Sequence, residues 1–156
     1  QRLKSSLFAR YDKTVMPVVN HSQNVLIRVG FTYRQVLDLD EKNQILKSLL
    51  WYRSSWYDQN LKWEPTDFEN ISELEVPHSL VWRPDIVMYE EIGDKDYSPR
   101  LPYVSITSKG MVEYKEPCAF HTSCAIDTSF FPFDVQVCHM TYVSWTQPVT
   151  HIDLIT

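Results

Sequence analysis

The chain has 156 residues, 44% hydrophobic and 22% charged, which suits one globular domain with a real core. Its formal net charge of −5 and the lack of any basic run exclude a nucleic-acid footprint, because phosphate contacts need clustered Lys and Arg. No apolar run of about eighteen residues occurs, so no segment of this sequence reads as a membrane-spanning helix.

Aromatic residues make up 13% of the chain, with five Trp and nine Tyr. Such side chains suit pleated surfaces and give contact area with a polar handle, so composition points to β structure and to recognition. Leu3, Leu7, Phe8 and Tyr11 recur at helical spacing until Pro17 breaks the pattern, predicting a short amphipathic helix over Gln1 to Tyr11. From Val25 the period becomes two. Val25, Ile27, Val29, Phe31 and Tyr33 alternate with Leu26, Arg28, Gly30, Thr32 and Arg34, the pattern of a half-buried strand with one wet face. Asp40-Glu41-Lys42-Asn43 predicts a turn, and Ile45 to Tyr57 predicts the antiparallel partner.

Short strands are then predicted near Glu73–Leu74, Leu80–Tyr89, Val104–Thr107, Met111–Tyr114, Ala119–Asp127 and Val135–Trp145. His151 to Thr156 reads as the start of another. This rhythm, punctuated by Pro, belongs to a sandwich or barrel. With only three Gly, the turns must rely on Pro, Asn, Asp and Ser.

Enzyme signatures are missing from the sequence. It has no Gly-rich phosphate loop, no Gly-x-Ser-x-Gly elbow and no His-Glu-x-x-His helix. Cys118 with His121 or His139 has the residue types of a nucleophile and base, but reads better as a thiol near solvated histidines. The spacing of Cys118, Cys124 and Cys138 lacks the close pair of a zinc site, so neither metal nor cofactor is expected. Sequons at Asn20 and Asn70 permit glycosylation and, with a disulfide, favour the outside of a cell.

Between Cys124 and Cys138 the chain runs through Phe130-Phe131-Pro132-Phe133-Asp134. A disulfide closing a loop of this size would be worth roughly 3 kcal/mol in the chain-entropy model. Each Phe at its tip costs roughly 2 kcal/mol to leave in water, so the tip calls for a partner surface.

This cysteine-bounded loop with Phe-Pro-Phe-Asp at its centre resembles the signature of the Cys-loop, or pentameric ligand-gated, ion-channel subunits. Other segments resemble the family in the same order: Asp40 to Gln44, Trp51-Tyr-Arg-Ser-Ser-Trp56-Tyr-Asp58, Leu61-Lys-Trp63, Trp82-Arg-Pro-Asp-Ile-Val-Met-Tyr89 and Ser144-Trp145-Thr146. The nicotinic acetylcholine branch fits best. The resemblance implies an all-β, immunoglobulin-like β-sandwich with a short N-terminal α-helix. It implies that residues 1–156 form one extracellular ligand-binding domain, truncated at its C-terminal end, with the last strands of the family fold missing. A strand left unpaired beside Trp145 would make the monomer poorly stable.

The resemblance also implies a Cys124–Cys138 disulfide and a coupling loop at Phe131, Pro132, Phe133 and Asp134. Tyr89 and Trp145 match the ligand-binding rings of the principal subunit face, and Trp51 matches the ring of the complementary face. The implied partners are acetylcholine or a similar small cation and the other subunits of a pentamer. No nucleic acid is expected, and the membrane is met only through a transmembrane part absent from this chain, at the extracellular face of the plasma membrane. The chemistry agrees, because a quaternary ammonium has no hydrogen to donate and needs aromatic faces.

Trp51 lies five positions before Trp56, so the two point to opposite faces of one strand. Trp56, Trp63 and Trp82 read as packing residues. Ser105, Glu113 and Lys115 fall on the complementary face, where Glu113 and Lys115 have the parity to pair in water. Departures from the family pattern are Gln147 where an aromatic is usual, Glu90-Glu91 after Tyr89, and Cys118, which is not a family cysteine. They keep two alternatives open, a soluble acetylcholine-binding-type protein and a non-binding accessory or truncated subunit. The apolar loop tip favours the channel.

Overall fold

A computed structural model describes residues 1–18, 24–93, 103–145 and 152–155. Helix α1 (Arg2–Phe8) buries Leu3 and stops earlier than the expected Tyr11. Tyr11 instead turns inward, its ring edge-on to Phe8 with centroids 5.5 Å apart and its hydroxyl donating to Asp58 at 2.6 Å.

The two long strands form as their alternation predicts. In β1 (Val25–Asp40), Val25, Ile27 and Val29 are buried while Leu26 and Arg28 are exposed. The alternation ends there: Tyr33, expected on the buried face, is 48% exposed, next to a register shift between Tyr33 and Gln35. Its antiparallel partner β2 (Ile45–Tyr57) buries Leu46, Ser48, Leu50, Ser54 and Trp56 on one face. The turn between them is closed by Asp40, whose carboxylate accepts from the Asn43 backbone N–H at 2.9 Å and from its side-chain amide at 2.7 Å. Gln44 completes it with φ of 57°.

The remaining strands are β3 (Glu73–Pro77), β4 (Ile86–Met88), β5 (Tyr103–Thr107), β6 (Met111–Ser123), β7 (Tyr142–Ser144) and β8 (Ile152–Ile155). Six of the eight make a sheet in the order β3-β5-β6-β2-β1-β8, with β8 parallel to β1 and the other pairs antiparallel. The other two form a separate pair, β4-β7. A core of Val25, Ile27, Val29, Trp56, Val76, Trp82, Val104, Ile106, Val112 and Tyr114 lines the large sheet, and Leu50, Met88 and Phe120 join it to the β4–β7 pair. The result is the expected β-sandwich with a short N-terminal helix.

Three strand expectations need correction. The stretch Leu80–Tyr89 is a 3₁₀ turn at His78–Leu80 followed by the three residues of β4, because Pro84 supplies no N–H to a ladder. Met111–Tyr114 and Ala119–Asp127 are not two strands split at Pro117 but the single strand β6, ending at Ser123. Pro117 is tolerated because β5 pairs with β6 only at Glu113 and Val112 and Glu91 bridges it again only at Thr122, so among the described residues no strand ladder faces Pro117 on that side of β6. Within Val135–Trp145 only Tyr142–Ser144 is strand. Val135 and Val137 alternate correctly, yet the disulfide holds them in a loop where they are 85% and 66% exposed. Asn20, Thr146, Gln147, His151 and Thr156 lie outside the described residues.

Candidate functional site

The β4–β7 pair is held at both ends by carboxylate and carbonyl groups. Its register is Ile86↔Ser144, Val87↔Val143 and Met88↔Tyr142. At one end the Ser144 hydroxyl donates to the Asp85 carboxylate at 2.6 Å, and the Trp145 N–H donates to the Asp85 carbonyl at 3.2 Å. At the other end the Tyr89 N–H donates to the Thr141 carbonyl at 2.9 Å. Glu90 accepts from the Thr141 N–H and hydroxyl, each at 2.6 Å. Desolvation is the largest single influence and opposes ionisation of Glu90, but the hydrogen bonds together prevail and hold its carboxyl below the ordinary range. Neither Asp85 nor Glu90 was singled out as a clamp by the sequence, where Glu90 stood only as a departure from pattern.

Strand alternation then sorts the side chains. Met88 is buried and Tyr142 half-buried against the large sheet, while Tyr89 and Trp145 face outward, each 72% exposed. They share one face of the pair but flank its two ends, about 13 Å apart at the usual rise per residue.

Trp51 lies between Thr32 of β1 and Pro117 of β6, half-buried, on the face of β2 opposite Leu50 and Trp56. The Arg34 guanidinium carbon lies 6.0 Å from its ring centroid. Since the β4–β7 pair packs on the Leu50 side, Trp51 is across the sandwich from Tyr89 and Trp145. One chain therefore brings two of the three rings to one face and keeps the third away.

The packing tryptophans behave as expected. Trp56 and Trp82 are buried and edge-to-face at 6.1 Å, and the Trp63 indole N–H donates to the Ile71 carbonyl at 2.7 Å. Glu113 and Lys115 form an exposed ion pair at 2.8 Å, and the Ser105 hydroxyl bonds Glu73 instead.

The Cys124–Cys138 disulfide forms, with the two Cα atoms 5.0 Å apart. Its root is fixed by the Cys124 N–H donating to the Gln44 carbonyl at 2.9 Å, which ties the loop to the β1–β2 turn. Gln136 bridges Asp127 from across the loop, accepting its N–H at 3.0 Å and donating to its carbonyl at 2.7 Å. Successive turns, Phe131 N–H to Thr128 O and Phe133 N–H to Phe130 O, push the rings outward. Phe131 is 69% exposed and Phe133 90%, Pro132 is exposed after a cis peptide bond, and Asp134 is half-buried behind them. Cys118 stays outside the disulfide, half-buried, its sulfur 3.8 Å from the Glu116 carbonyl. Asn70 is exposed. Among the described residues no group of three His, Cys, Asp or Glu could hold a metal, and no helix is long and apolar enough to cross a membrane.

The family model of the neurotransmitter-gated ion-channel ligand binding domain matches residues 1–156. The chain belongs to that family. It is 40% identical over 156 residues to the neuronal acetylcholine receptor subunit alpha-4 of Homo sapiens and of Mus musculus, covering 99% of this chain and 25% of each relative. With the alpha-2 subunit of Homo sapiens it shares 40% identity over 153 residues, 98% of this chain and 29% of the relative. This ligand-binding domain thus spans about a quarter of the length of the receptor subunits it matches.

Proposed function

We propose that this domain binds acetylcholine, or a small cation like it, between neighbouring subunits of a pentameric channel at the extracellular face of the plasma membrane. The observation that carries the reading is the split of the rings. Tyr89 and Trp145 stand 72% exposed on one face, and Trp51 occupies the opposite side of the sandwich. Rings so divided enclose a cation only when the principal face of one chain meets the complementary face of another. Each aromatic contact then contributes about 0.5–2 kcal/mol, and micromolar affinity, about 8 kcal/mol, needs several of them together with burial.

Asp85 and the Thr141 carbonyl hold the backbone beside Trp145 and Tyr89, so the rings are presented from a fixed frame. The net charge of −5 adds a field that favours a cationic ligand. The Phe131–Asp134 tip serves as the coupling surface to a membrane domain, because rings exposed to this degree call for an apolar partner. Asn70, and Asn20 outside the described residues, are the glycan acceptors.

The test is calorimetric titration of the assembled protein with acetylcholine. Trp145→Ala should weaken binding by roughly tenfold or more and Trp145→Phe by less, since phenylalanine keeps part of the quadrupole. Trp51→Ala should weaken it comparably. Unchanged affinity in both alanine variants would overturn the reading.

A further inference from the structure

The two sheets do not close completely on one another. Between β2 and β6 on one side and the β4–β7 pair on the other lies a cavity of about 100 Å³, walled by Tyr52, Met88, Cys118, Phe120 and Tyr142. The Tyr142 ring is fixed by stacking on Phe31, with centroids 3.9 Å apart. Its hydroxyl oxygen is buried and has no hydrogen-bond partner among the described residues. Tyr142 lines the cavity together with Tyr52 and Cys118. Burial pushes its pKa up, so it remains a donor at any physiological pH.

An orphaned hydroxyl of this kind carries a desolvation penalty until something accepts its hydrogen. The charged groups of the cavity wall, Arg83, Glu91 and Glu116, are already engaged. Glu116 accepts from the Tyr114 hydroxyl at 2.5 Å, while Arg83 lies over the Tyr114 ring at 4.7 Å with a nitrogen 3.1 Å from His78 Nδ1. An ion entering past them would lose its hydration against Met88 and Phe120 without a counter-charge of its own. A neutral molecule with one oxygen acceptor loses far less and satisfies Tyr142. The volume takes about three waters, or one molecule somewhat smaller than benzene.

We propose that this cavity between the sheets is a binding site for a small neutral molecule whose carbonyl or hydroxyl oxygen accepts the hydrogen bond of Tyr142. The site is independent of the exposed rings, since Met88 and Tyr142 point to the opposite face of the β4–β7 pair from Tyr89 and Trp145.

Three of the chain's four methionines supply the assay, because Met88 lines the cavity whereas Met16 and Met111 do not. With methyl-labelled methionine, titration with acetone, a ketone smaller than benzene, should shift the Met88 signal saturably and leave Met16 and Met111 in place. Tyr142→Phe removes only the orphaned oxygen and keeps the stacked ring, so it folds as the parent does. It should bind roughly three- to tenfold more weakly, the range expected for one neutral hydrogen bond. Cys118→Leu fills the wall and should abolish the shift. The proposal is overturned if Met88 gives no saturable shift, as when water alone occupies the cavity. Equal affinity in Tyr142→Phe, or equal movement of all three methyl signals, overturns it as well.

Discussion

Asp58 is fully buried at the end of β2, and three elements meet on it. Its carboxylate accepts the Tyr11 hydroxyl at 2.6 Å and the Asn60 N–H at 2.9 Å, and the Tyr11 oxygen in turn accepts the Trp82 N–H at 2.9 Å. The tie joins the segment after α1 to the core across 47 and 71 positions of sequence, and hydrophobic periodicity carries no trace of it. Removing the hydroxyl with Tyr11→Phe strands an acceptor and a buried backbone donor, so it should cost about 1–3 kcal/mol in urea unfolding. Burial raises the Asp58 pKa more than its hydrogen bonds from Tyr11, Asn60 and Leu61 lower it. The folded chain therefore keeps a proton that the unfolded chain has released, and the slope of stability with pH is negative across that window. Stability contributed by this group is present near the ordinary carboxylate value of 3.8 and is lost as pH rises through the raised one. Urea midpoints of the parent relative to Asp58→Asn should accordingly improve as pH falls from about 7 to about 4. A flat or opposite trend would mean that Asp58 is ionised in the fold.

At the scale of elements, the disulfide loop sets an apolar tip on a polar frame. Gln136 and Asp127 hold the frame, whereas Phe133, 90% exposed, contributes almost nothing to packing. Phe133→Ser should leave the melting temperature unchanged while reducing binding of a hydrophobic dye, and in a full receptor subunit it should abolish gating with agonist affinity preserved. A drop in melting temperature would instead make the tip part of this domain's own core. The sequence signalled the loop clearly, because Cys124, Cys138 and the Phe-Pro-Phe-Asp centre are local. It signalled β2 and the first part of β1 equally well, since one face of each is buried there and alternation records it. Parity also separated Trp51 from Trp56 correctly. What failed were elements whose neighbours decide the outcome. Pro117 looked like a break because nothing local reveals that, among the described residues, no strand ladder faces it on one side of β6. Val135 and Val137 alternated without a sheet to face. The inter-sheet cavity was invisible for the same reason, since Tyr52, Cys118 and Tyr142 come from three strands.

At the scale of the whole molecule, the split rings make a claim about assembly. A ligand that binds the folded state alone stabilises it by RT ln(1 + [L]/Kd), about 2.7 kcal/mol at a hundredfold excess over Kd. If Tyr89 and Trp145 of one chain need Trp51 of another, that stabilisation exists only where chains are associated. The chain exposes the rings such association would cover, Tyr89 and Trp145, each 72%. Melting temperatures should therefore rise with acetylcholine at protein concentrations where sedimentation reports oligomers, and the rise should vanish on dilution to monomers. Tyr142→Phe should leave this behaviour intact, because its hydroxyl faces away from the exposed rings. A ligand-induced shift that persists undiminished in the monomer would place the whole site within one chain. The 72% exposure of Tyr89 and Trp145 would then have to be closed by a movement of the β4–β7 pair instead of by a neighbouring subunit.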